Sequence, residues 1–119
     1  MSVVLTKLAD KFLCSTYKTF LERRAQGYSL DRSKQFKNNF EQREPYILDF
    51  NIEDVGDILD ELKSIGFVNE WVSGDFLLTN NAIIYMEKRF KNGLIELTDF
   101  IAKFIPYDVQ IMNVLFLMK

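Results

Sequence analysis

Residues 53–89 read EDVGDILDELKSIGFVNEWVSGDFLLTNNAIIYMEKR, and this stretch decides the fold. Val55, Ile58, Leu59, Leu62 and Ile65 recur at helical spacing, which predicts an amphipathic helix over residues 52–65. Asn51 stands where an N-cap belongs, and Glu53 and Asp54 suit the positive end of the helix dipole. Gly66 follows at the left-handed C′ position, with Phe67 as its apolar partner. FVNEWV and DFLLT then flank Ser73-Gly74, which predicts a hairpin with a two-residue connection. Thr79 or Asn80 caps a further helix whose apolar face is Ala82, Ile83, Tyr85, Met86 and Phe90.

Upstream, Leu5, Leu8, Phe12, Tyr17, Phe20 and Leu21 form one stripe, which predicts a long first helix over residues 3–26 closed by Gly27. Ser29 or Asp31 caps a second helix through LDRSKQFKNNFEQ, anchored by Leu30, Phe36 and Phe40. Pro45 stops it, and YILDF after the proline reads equally as a strand or a buried connector. Downstream, Asn92-Gly93 breaks the chain, and Leu94, Leu97, Ile101 and Phe104 give a heptad-like stripe up to Pro106. The expected division is therefore a domain over residues 1–93 and a helical extension over residues 94–119.

The 119 residues carry 15 Lys plus Arg against 17 Asp plus Glu, a net charge of −2 that excludes a general polyanion binder. No histidine is present, which removes imidazole catalysis and His-ligated metal sites. Cys14, the one cysteine, allows no internal disulfide and reads as a buried structural thiol. The five glycines are scattered singly, so no phosphate-cradling loop exists. Asp57 with Asp60 or Glu61 is the nearest carboxylate pair, but on a solvated helix nothing raises a pKa for acid work. The reading is a non-enzymatic protein without cofactor or metal. Lys103 and Asp108 interrupt the apolar C-terminus, and MSVVLTKLADKF does not read as a signal peptide, so a cytoplasmic protein with no membrane partner is expected.

Three helices, a two-stranded hairpin and a fourth helix are the element order of a winged helix. Ile58, Leu62, Gly66-Phe67, Val68, Leu78-Thr79 and Ala82 hold the places of the apolar pattern that bacterial winged-helix regulators carry through their third helix and wing. The chain resembles that family over residues 5–92. It is also similar to small winged-helix proteins of bacteria and their phages in GYSLDRS, EDVGDILDEL and AIIYMEKRFKNGL. The resemblance implies a mainly α (α+β) fold with a hairpin wing, and a DNA-binding transcription regulator that dimerises through its terminal helices.

The charges point elsewhere. A DNA-reading third helix needs bases toward the phosphates. Here that helix carries Glu53, Asp54, Asp57, Asp60 and Glu61 against Lys63 alone, and the wing adds Glu70 and Asp75. Residues 46–79 hold one base and eight acids, whereas residues 1–45 hold nine bases and five acids. The acidic side suits a basic protein partner, or mimicry of DNA. The basic second helix offers Arg32, Lys34 and Lys37 to phosphates. Among Tyr17, Tyr28, Phe36, Phe40, Tyr46 and Trp71, core packing accounts for all but Trp71, which sits on a wing strand and joins the acids as a partner-binding candidate.

The C-terminal run from Leu94 through Leu97, Ile101 and Phe104 to Leu115 and Phe116 is more apolar surface than one small domain needs, so it folds back or meets a second copy. If it makes a homodimer, deletion of residues 107–119 turns a dimer into a monomer or an aggregate, which light scattering distinguishes from an unchanged dimer.

Overall fold

The computed structural model describes residues 3–103. Within them lie helices α1 (Lys7–Ala25), α2 (Leu30–Ser33), α3 (Ile52–Ser64), α4 (Asn80–Arg89) and α5 (Leu94–Ala102). Strands β1 (Gln35–Phe36), β2 (Val68–Glu70) and β3 (Phe76–Leu78) make an antiparallel sheet in the order β1-β3-β2. The fold is α+β. Phe104, Leu115 and Phe116 lie outside the described residues.

Local chemistry sets most boundaries. The Thr6 hydroxyl accepts from Ala9 N, the Asn51 carbonyl from Glu53 N and the Thr79 hydroxyl from Ala82 N, so α1, α3 and α4 each begin at a capping side chain. At the end of α3, Gly66 adopts φ +80°, Gly66 N donates to Lys63 O and Phe67 N to Leu62 O. Both bonds of the expected Schellman closure are present, and Phe67 is buried. Thr79 also donates from Oγ1 to Gly66 O at 2.6 Å, which ties the end of α3 to the start of α4.

The expected second helix over residues 30–42 does not form. α2 stops after Ser33, and Gln35–Phe36 leaves it to pair with β3, with Phe36 opposite Phe76. The Phe36 and Phe76 rings stack at 5.3 Å and 11°. The Arg23 guanidinium covers Phe36 at 4.7 Å and donates to Gln35 O at 2.6 Å. Asn38-Asn39 then turns the chain back, because the Asn39 side-chain Oδ1 accepts from both Glu41 N and Gln42 N. Asn38 bridges to Arg43, and a small hairpin occupies the place of the helix. Phe40, expected as an apolar anchor and core aromatic, is 92% exposed at its tip. Leu30 and Tyr28 are exposed as well.

The segment after Pro45 is a 3-10 helix (Pro45–Asp49) that buries Ile47. Tyr46 OH lies 2.5 Å from Thr16 Oγ1, and burial pushes this phenol well above its ordinary range. Phe12 is the centre of the core, within 5.8 Å of the rings of Tyr46, Phe50 and Phe76. The wing connection also differs from the expected two-residue turn. Trp71 N donates to Asp75 O and Gly74 N to Trp71 O, leaving three residues, Val72 to Gly74, in the loop.

Helix α5 packs on α1 and contributes fully buried Leu97 to the same core. Its stripe residues Leu94 and Ile101 are half-buried, whereas Ile95 is exposed. Arg89 fastens this corner. It forms a bidentate pair with Asp10 at 2.5 and 2.8 Å, and its guanidinium lies 4.9 Å from the Phe90 ring and 4.6 Å from the Phe100 ring. Both partners are largely buried, so breaking the pair leaves an uncompensated carboxylate. Arg89→Met is expected to lower the unfolding free energy by about 3 kcal/mol in urea titration, and adding Asp10→Asn is expected to restore part of it.

Candidate functional site

Helix α3 and the wing present the acidic surface. Glu53, Asp57 and Asp60 are exposed on α3, and Asp54 is half-buried beside them. Lys63 links this row to the wing, lying 3.9 Å from Asp60 and 3.6 Å from Glu70. Trp71 follows Glu70 and is half exposed, and Val72 stands fully in solvent. Lys63 therefore joins the acids of α3 to the strand that leads into Trp71.

Glu61 has a different role. Its two oxygens accept from Thr6 N at 2.8 Å and Thr6 Oγ1 at 2.9 Å, so this carboxylate fastens the start of α1 to α3. A separation of 55 residues hid this use from the sequence.

The basic candidates are turned to separate partners. Arg32 lies 5.3 Å from the Tyr28 ring, Lys34 Nζ donates to Asn80 Oδ1 at 2.9 Å, and Lys37 Nζ lies 3.5 Å from Asp75. Arg23, on the basic first helix, is fully engaged with Glu44 at 2.7 Å and with Gln35. Among the three named bases, only the Arg32 side chain has no partner oxygen in the described hydrogen bonds and ion pairs. Cys14 is buried, and burial, with the Asp10 charge adding and Arg89 opposing, pushes its thiol up to about 12. That is the behaviour of an inert core thiol.

A cleft of about 400 Å³ opens between α1, the 3-10 helix and α5. Lys18, Glu22 and Asp49 mix both signs along it, and no nucleophile with an adjacent base lines it. Among the described residues no cluster of side chains has metal-ligand composition, and no helix is long and apolar enough to cross a membrane.

Asp75, in the sequence only one of the acids of the wing, has a structural role that its position there did not signal. It stands at the base of the wing and accepts from Asn38 N at 2.8 Å and Asn39 Nδ2 at 3.0 Å, with Lys37 beside it. The wing thereby clamps the 38–43 hairpin. Gly74, at φ +100°, lies so close that a Cβ there would sit 2.5 Å from Asn38 O. Only the pair Asn38-Asn39, a turn former rather than a helix former, signalled this arrangement. Comparison with protein-family models, with curated proteins and with solved structures yields no match.

Burial alone would raise the Asp75 carboxyl, but the Asn38 N–H, the Asn39 amide and Lys37 outweigh it and hold it below the ordinary carboxylate range. A carboxylate depressed in the folded state stabilises above its unfolded value of about 4, and that contribution is lost as pH falls through the folded value. Asp75→Asn is therefore expected to melt below the parent at neutral pH, with the difference in Tm narrowing as the buffer is taken from about pH 7 toward pH 2.5.

Proposed function

We propose that this chain is a non-enzymatic winged-helix protein that binds a basic segment of another protein through the surface of α3 and the wing. The winged-helix reading draws support from the succession α1, β1, 3-10 helix, α3 and the β2–β3 hairpin, with β3 between β2 and β1. Helix α2 is confined to Leu30–Ser33 ahead of β1, and the short 3-10 helix stands between β1 and α3. The protein-binding reading rests on one observation above all. Glu53, Asp57 and Asp60 are exposed where a DNA reader would carry bases, and Lys63, the neighbouring cation, is already shared between Asp60 and Glu70.

Phosphates brought to this face meet repulsion from each carboxylate. Lysines or arginines brought to it meet complementary charge, which speeds encounter and suppresses wrong partners. A DNA-binding regulator is the second reading. Its support is the family resemblance together with Arg32, whose guanidinium is exposed and lies over Tyr28.

Fluorescence anisotropy separates the two. Random-sequence duplex DNA is expected to stay unbound at about 50 mM salt, and a labelled lysine-only peptide of about 18 residues is expected to bind and to weaken steeply toward about 200 mM. Asp57→Asn with Asp60→Asn is expected to weaken the peptide by about tenfold. Salt-sensitive DNA binding that is lost on reversal of Arg32, Lys34 and Lys37 would establish the regulator instead.

A further inference from the structure

Three large apolar side chains stand in solvent at the tips of two hairpins that touch. Phe40 is 92% exposed, Trp71 51% and Val72 109%. Their mounts are rigid. Asp75 receives Asn38 N and Asn39 Nδ2, the Asn39 side chain in turn accepts from Glu41 N and Gln42 N across Phe40's turn, and Trp71 closes the wing through Asp75 O and Gly74 N. Gly74 brings the two backbones together where no side chain fits. A small domain that could place Phe40 in its core instead holds it outward, on a hairpin that the wing clamps through Asp75.

We propose that these tips form an apolar anchor site for the same basic partner, taking a large aliphatic or aromatic side chain that lies next to the partner's lysines or arginines. The inference rests on the protein-binding reading of the acidic face. Charge decides the occupant. Lys63 connects Asp60 to Glu70 on β2, the strand that leads into Trp71 and Val72, so the carboxylate row and the wing part of the anchor belong to one helix-and-hairpin unit. Of the acids in residues 46–79, Glu53, Asp57 and Asp60 stay exposed on α3, and they repel nucleic acid and anionic lipid alike. On the hairpin of Phe40, Lys37 is paired with Asp75 at 3.5 Å, which weakens its attraction for anions. An anchor that is fixed before binding loses little side-chain freedom on contact, and a buried aromatic at the centre of an interface carries a large share of its affinity.

Trp71 is the one tryptophan of the chain, so its emission reports on the site directly. The full chain is titrated with three probes. These are a tryptophan-free amphipathic Lys/Leu peptide of about 18 residues, the lysine-only peptide of the same length, and phosphatidylcholine vesicles with and without phosphatidylglycerol. The expected result is a blue shift of Trp71 with the Lys/Leu peptide and a Kd about tenfold tighter than for lysine alone. Phe40→Ser with Val72→Ser should abolish that advantage while leaving the thermal midpoint and the lysine-only Kd unchanged, since both side chains lie outside the core. Equal affinity for the two peptides, or an advantage that survives the double substitution, overturns the anchor and leaves the acidic face standing. A blue shift with vesicles and not with peptide assigns the tips to a lipid surface and overturns the proposal. Failure of both peptides to bind removes the acidic-face reading along with it.

Discussion

The stack of Phe36 on Phe76 is the contact on which the remaining architecture depends. It draws two residues out of a helical sequence and makes them a strand, and β3 thereby becomes the middle of a sheet instead of the edge of a bare hairpin. Everything between β1 and α3 follows from that capture. The chain must reverse within a few residues, Asn38-Asn39 supplies the turn, and Pro45 restarts it as the 3-10 helix that lays Tyr46 and Ile47 over α1. Arg23 secures the same ring from above, so one aromatic pair joins the first helix, the sheet and the hairpin.

The acidic residues divide into two populations with opposite physics. Asp10, Glu44, Glu61 and Asp75 are bound to guanidinium groups, backbone N–H groups or hydroxyls, and hold distant segments together. Glu53 and Asp57 remain exposed on α3, with Asp60 and Glu70 sharing one lysine. The net charge conceals this division, because the first population is tied to donors within the fold and the second faces solvent with one lysine between Asp60 and Glu70. The field outside the molecule is therefore more negative along α3 than −2 suggests.

The parts of the fold that depend on neighbours in sequence were legible. Asn51, Gly66-Phe67 and Thr79 are local instructions, and each acts where its side chain or backbone freedom is needed. Phe36 and Phe40 were not legible, because a strand of two residues has no periodicity, and its partner lies 40 residues away. Spacing placed both on a helical stripe, and tertiary pairing then buried one and expelled the other. The acidic face was visible as composition, but the loss of Glu61 from it to Thr6, and of Lys34 and Lys37 from the basic set, required the folded geometry.

The first helix has a further consequence for the way the chain is made. Its N-terminal turn is fastened by Glu61 through Thr6 and by Arg89 through Asp10, partners separated from it by 55 and 79 residues. At about 5–20 residues per second, the ribosome adds Arg89 several seconds after the helix it secures. Through that interval the Phe12 and Cys14 side of α1 has no finished core to cover it. Vectorial synthesis thus leaves this side of α1 waiting for its last fastening, and the partly made chain exposes apolar surface that the finished protein covers.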